Sequence, residues 1–96
     1  MIVTIQELKT HLRVEHDEED EYLGMLIKVA GATAMDFCRV EFDENDTTPE
    51  PVRLAVLLHA SHFYTNRENG QATSYQSMIR AFHALLWPYR DTGKLV

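Results

Sequence analysis

Apolar residues recur at helical spacing in four blocks, separated by polar or acidic stretches. The first block is Ile5, Leu8 and Leu12. It opens on Thr4-Ile5-Gln6-Glu7, the pattern of a capping box, in which the Thr4 hydroxyl accepts from the Glu7 amide and the Glu7 carboxylate reaches back. Val3 and Leu8 stand where a hydrophobic staple closes. The spacing predicts a short helix that stops near His11–Arg13.

The second block is long. Asp17 is the predicted N-cap, and Glu18, Glu19, Asp20 and Glu21 fill the first turn. Carboxylates there oppose the positive end of the helix dipole, each contributing about 0.3–1 kcal/mol. Apolar residues then run from Tyr22 and Leu23 to Phe37 and Cys38, with a narrow polar stripe of Glu21, Lys28, Asp36 and Arg39. A helix from Glu18 to Arg39 would be about 33 Å long. Its wide apolar arc predicts burial of more than one face. Gly24 and Gly31 each cost roughly 1 kcal/mol relative to alanine, which close approach of another backbone would explain.

An acidic loop, residues 41–50, leads to the third block. Thr48 is the predicted cap, with Pro49 at the first helical position, where proline loses nothing. Val52, Leu54, Ala55, Val56, Leu57, Leu58, Ala60, Phe63 and Tyr64 cover nearly the whole circumference, the signature of a central helix. The polar stretch 65–74 reads as a mobile loop. The fourth block has the cleanest period: Tyr75, Met78, Ile79, Phe82, Leu85 and Leu86 form one stripe, with Gln76, Arg80 and His83 opposite and Pro88 ending it. Trp87, beside Pro88 and Tyr89, reads as an anchor for this helix rather than as a ligand platform. Strand alternation is weak throughout. The fold class is all-α: one domain, 1–96, a compact four-helix bundle with a long second helix and a central apolar third helix.

Charge narrows the partners. Nine Lys and Arg against fifteen Asp and Glu leave a net charge of −6 in 96 residues. Affinity for a DNA backbone comes from clustered cations that displace counterions, so this balance argues against DNA or anionic membrane binding. The N-terminus lacks the charged head and apolar run of a signal peptide, and no apolar stretch reaches the length of a membrane span. The single cysteine, Cys38, excludes an intrachain disulfide and cysteine-rich zinc sites. These features predict a soluble protein made in a cytoplasm.

The search for chemistry yields little. Calcium loops alternate their ligands around a glycine, whereas Asp17–Glu21 are consecutive and open a helix. His59 and His62, three apart, lack the His-Glu-x-x-His pattern and read as packed or interfacial residues. Cys38 reads as a small buried hydrophobe at a helix end, with no orienting triad around it. No P-loop, G-x-G-x-x-G or G-x-S-x-G is present. No cofactor, metal or catalytic residue is expected. What remains is more apolar helix surface than one small subunit covers, which points to repeated copies of the chain.

Several segments, in order, are familiar. Val3-Thr4-Ile5-Gln6-Glu7-Leu8-Lys9-Thr10-His11-Leu12-Arg13-Val14, followed by His16-Asp17-Glu18-Glu19-Asp20, resembles the start of phage head–tail connector proteins. Pro49 to Leu58 resembles their central helix, and Phe63-Tyr64-x-Asn66-Arg67-Glu68 its end. Leu85-Leu86-Trp87-Pro88-Tyr89-Arg90 is similar to their closing motif, although a small residue often stands where Trp87 does. The resemblance covers nearly the whole chain. It implies a structural virion protein, not an enzyme. Such proteins form a ring, dodecameric in the virion, beneath the portal, extending the DNA channel toward a tail or stopper protein.

On this reading the protein assembles in the host cytoplasm and ends at the head–tail junction. Its partners are further copies of itself, the portal and a tail or stopper protein, and DNA passes through without specific binding. An acidic lumen would repel DNA phosphates and let the duplex slide. Glu18, Glu19, Tyr22, Met25, Lys28, Arg53 and His59 are the candidate subunit contacts. Asp43, Glu44 and Asn45 in one loop, and Arg67, Glu68 and Asn69 in another, are candidates for meeting the portal or tail. Two other readings compete: a small acidic helical inhibitor or antitoxin-like binding protein, which would form a defined dimer or heterodimer, and a small metal-dependent enzyme using the histidines and the acidic turn.

Overall fold

A computed structural model describes residues 2–42, 48–66 and 72–91, and side chains throughout these except at 72 and 73. Four helices follow in order: α1 (Ile5–Leu12), α2 (Asp20–Cys38), α3 (Glu50–Thr65) and α4 (Ala72–Leu86), with a 3₁₀ turn over Trp87–Tyr89. The described residues contain no strand. The fold class is therefore all-α, as the periodicity predicts.

Helix α1 starts as its sequence dictates. The Glu7 amide donates to the Thr4 hydroxyl at 3.0 Å, and the Thr4 amide donates to the Glu7 carboxylate at 2.8 Å. Val3 and Leu8 are both fully buried. Arg13 ends the helix in the left-handed conformation (φ 61°), its amide reaching the Lys9 and Thr10 carbonyls. Such a residue closes a helix by satisfying carbonyls that would otherwise lack partners.

Helix α2 starts later than its acidic run suggests. Asp17 is not the N-cap. Glu19 occupies that position, without a side-chain cap, and its carbonyl accepts from the Leu23 amide at 2.9 Å. Asp17 is drawn away by Lys9, which is 4% exposed and pairs with both Asp17 and Asp20. A buried ammonium needs opposite charge more than a helix end needs a cap. At nineteen residues α2 is about 28 Å long, shorter than predicted from its pattern.

Helix α3 also departs at its start. Pro49, not Thr48, holds the N-cap position, its carbonyl accepting from the Val52 and Arg53 amides at 3.1 Å. Pro51 then falls in the first turn, where its missing N–H is not needed. Helix α4 begins at Ala72, inside the stretch whose composition suggests a loop.

Helix α3 is the centre of the bundle, packing most extensively on α2 and α4 and also on α1. Pairings at the ends fix the directions. Tyr64 at the end of α3 bonds Glu19 before α2, and His62 and Phe63 meet Tyr75 near the start of α4. The ends of α2 and α4 adjoin, Phe37 stacking on His83 and Cys38 donating to the Leu86 carbonyl at 3.7 Å. Helix α3 thus runs antiparallel to both neighbours. The core is Val3, Leu8, Leu23, Ile27, Val52, Val56, Phe82 and Leu86, all fully buried or nearly so. The molecule measures 49 × 33 × 17 Å. Its thinnest dimension is under two helix diameters, so each helix keeps a large outward face.

Candidate functional site

The exposed face of α2 is the most distinctive surface. Glu21, Met25, Lys28, Val29 and Ala32 follow at spacings of three and four, which places them on one side of the helix. All five are exposed, Met25 and Val29 about half. On the opposite side Leu23, Ile27, Ala30 and Ala34 enter the core. Helix α2 thus has apolar character on two faces, and its own subunit covers one.

Beside this stripe lies an apolar groove of 230 Å³ lined by Ile2, Lys28, Gly31, Ala32, Met35 and Phe42. Gly31 does not mark close backbone contact. A Cβ built there would meet only Ile2 Cδ1, at 3.5 Å, an ordinary van der Waals distance. A second apolar position breaks the surface on α3, where Leu54 is 43% exposed.

The residues singled out as subunit contacts fall into two groups. Glu18, Met25 and Lys28 lie exposed on the α2 side. The other four make contacts inside the subunit. Tyr64 donates to Glu19 Oε1 at 2.5 Å, and the Tyr22 and Tyr64 rings lie 6.4 Å apart. Arg53 donates to the Ile2 carbonyl at 3.1 Å, pairs with Glu7, and lies 3.5 Å from Glu50. The Arg53 network ties the N-terminal segment and α1 to the first turn of α3. The hydrogen bond from the Thr4 amide, together with Arg53, holds the Glu7 carboxyl below its ordinary value.

His59 sits inside the core, 5% exposed, between the rings of Phe63 at 5.0 Å and Phe82 at 4.9 Å. Its Nδ1 is buried without a partner among the described residues. Burial, and to a lesser degree His62, pushes its pKa below the usual histidine value. His62 points elsewhere, toward Phe63 and Tyr75. Among the described residues no three His, Cys, Asp or Glu side chains are placed to hold a metal ion. Burial raises the Cys38 thiol above its ordinary pKa, which suits packing and not nucleophilic attack. Asp43, Glu44, Asn45, Arg67, Glu68 and Asn69 lie outside the described residues.

Sequence reasoning misplaced Trp87. It does not anchor α4. It is 61% exposed, and the anchoring is done by Phe82 and Leu86, both fully buried. The indole stands beside Phe37, their rings 6.3 Å apart, and the Arg90 guanidinium lies over both rings, 5.1 Å from Phe37 and 5.5 Å from Trp87. Pro88 carries the signal for this arrangement. It ends the α-helix and turns the chain into a 3₁₀ segment, and the helical register adds its own signal, because Trp87 follows His83 by four and Arg80 by seven and so continues the exposed face opposite the buried stripe.

The geometry defines a class: a small all-helical subunit whose notable features are outward faces rather than a cleft with converging polar groups. The chain belongs to the phage gp6-like head-tail connector protein family, whose model matches residues 2–90. That is a family of structural phage proteins. Comparison with curated proteins and with solved structures returns no match. No helix among the described residues is long and apolar enough to cross a membrane.

Proposed function

We propose that this protein forms a ring beneath the portal of a phage capsid, joining the head to the tail and extending the channel through which DNA passes. Membership of the connector family over residues 2–90 is the observation that carries this reading. The outward face of α2 supports it. Met25 and Val29 lie on the surface of a helix whose other side already fills the core. Exposed apolar stripes of this kind mark surfaces that associate. Repeated copies joined through two different surfaces close into a ring when the rotation between them closes.

In this reading Glu18, Met25 and Lys28, with Val29, lie at the contact between neighbours. Glu19, Tyr22, Arg53 and His59 hold the subunit in the shape that presents it. The segments containing Asp43, Glu44, Asn45 and Arg67, Glu68, Asn69 meet the portal on one side and the tail or stopper protein on the other. The net charge of −6 suits a channel that does not retain DNA.

The test is to add the full chain to purified portal rings of the same phage and image the complexes. A ring-shaped layer on one end of the portal, in fixed stoichiometry, is expected. Absence of any complex, with the free protein a stable dimer, would favour an inhibitor or antitoxin-like protein instead.

A further inference from the structure

We propose that successive copies of this chain join head to tail by docking the Glu21–Met25 face of α2 onto the Trp87–Arg90 platform of the next copy. This rests on the ring reading above and names the contact that builds the ring.

The platform is preorganised. Arg90 Nε donates to the Phe37 carbonyl at 3.0 Å, and its guanidinium lies against two aromatic rings. Its two terminal nitrogens have no partner among the described residues. Phe37 is itself fixed by stacking on His83, 4.4 Å between centroids and 12° from parallel. The Trp87 indole stands beside this fixed cation and is the most exposed of the large apolar side chains described. Tryptophan and arginine dominate the energetics of protein interfaces, and an arginine already held in place loses little entropy on binding.

Such a platform fits a carboxylate and an apolar group held a few ångströms apart on a rigid element. Glu21 and Met25 are that pair. Four residues apart on α2, their Cβ atoms lie about 5–6 Å from one another. The Arg90 guanidinium lies 5.5 Å from the centre of the Trp87 ring. Glu21 is exposed and has no partner among the described residues, and Met25 is 51% exposed. A carboxylate takes the free terminal nitrogens of a guanidinium as a bidentate acceptor, and a thioether packs well on an indole. Glu18, its side chain 87% exposed at the same end of α2, adds negative potential facing the cation.

The two surfaces cannot meet within one molecule. The platform packs on Phe37, at one end of α2, and Glu21 lies at the other end, about 24 Å away along the axis. Each copy therefore offers one half of the contact at each end. Used once per neighbour, the contact is heterologous and propagates from copy to copy, whereas two copies that close both contacts on each other would stop at a dimer, and a blue-shifted species that stops at a dimer overturns the head-to-tail arrangement.

Trp87 is the chain's one tryptophan, so its emission reports the platform alone. The experiment measures molar mass and Trp87 emission together on the full chain, from micromolar to millimolar concentration. Emission should move to the blue in step with mass. Glu21→Arg should raise the concentration needed for assembly at least about tenfold, and Trp87→Ala should do the same with helical content unchanged. Adding Arg90→Glu to Glu21→Arg should recover assembly. Because Arg90 also holds the Phe37 carbonyl, thermal melts accompany that variant, and Met25→Ala provides a check that leaves the platform intact.

Mass growth with no change in Trp87 emission, or growth indifferent to Glu21→Arg, overturns this contact and leaves the ring reading standing. A blue shift on portal addition that persists in Glu21→Arg assigns the platform to the portal and also overturns it. So does a wild-type chain that stays monomeric throughout, in which case the ring reading rests on the portal complexes alone.

Discussion

His59 illustrates what a single side chain contributes when it is enclosed on all sides. It lies between Phe63 and Phe82 with Nδ1 unpartnered among the described residues, and a second histidine, His62, stands three residues on along the same helix. Only the neutral ring suits that place. Its folded pKa is lowered from the ordinary 6.5, so the folded chain resists a proton that the unfolded chain accepts. Stability from this residue is complete above pH 6.5 and is lost as pH falls from there through the folded value, by up to about 1.4 kcal/mol per pH unit. His59→Phe should keep the helical content and flatten this part of the stability–pH curve, measured by urea unfolding between pH 7.5 and 5. A variant as acid-sensitive as the wild type would contradict the assignment. The sequence shows that His59 and His62 share a helix. It does not show that a gap of three residues sends one into the aromatic core and the other toward Tyr75. Lys9 was equally illegible: a lysine near the start of a chain reads as solvated until the fold brings Asp17 and Asp20 to it.

At the scale of helices, local signals succeeded where the chain satisfies itself and failed where a distant partner competes. The Thr4–Glu7 box is complete within four residues, and both of its bonds form. Thr4→Ala should cost about 1 kcal/mol, read from urea unfolding. Glu7→Gln should remove an acid-side effect. The Thr4 amide and Arg53 lower the Glu7 pKa, so that stability is present above about pH 4.5 and lost as pH falls through the lower folded value. Asp17 looks like an equally good cap, but Lys9 claims it from the preceding helix. The wide apolar arc of α2 predicted burial of more than one face; within the subunit one face, Leu23–Ile27, is buried, and the Met25–Val29 side is exposed. Gly31 is a sharper case. Its cost in helix propensity suggested a backbone pressed against it, yet an added methyl meets only Ile2 at 3.5 Å. Gly31→Ala should therefore stabilise the isolated subunit by up to about 1 kcal/mol, measured by thermal or urea unfolding. Destabilisation would mean that the 230 Å³ groove closes further than the structure shows.

For the whole molecule, the four-helix class and the central place of α3 were legible because periodicity and circumference are properties of the chain itself. The Trp87 platform was not, because it joins the ends of two helices that lie about fifty residues apart in sequence. The thin shape, 17 Å across, also depends on how helices stack and not on what each contains. A thin, acidic, all-helical subunit with an apolar outward stripe suits assembly side by side around an axis. The most direct test of that account is the molar mass of the full chain, by light scattering behind size exclusion, alone and after addition of purified portal rings. The account predicts a closed species of roughly a dozen subunits, free or bound to the portal, with no dimer as the end state. A stable dimer that leaves the mass of the portal unchanged would contradict it.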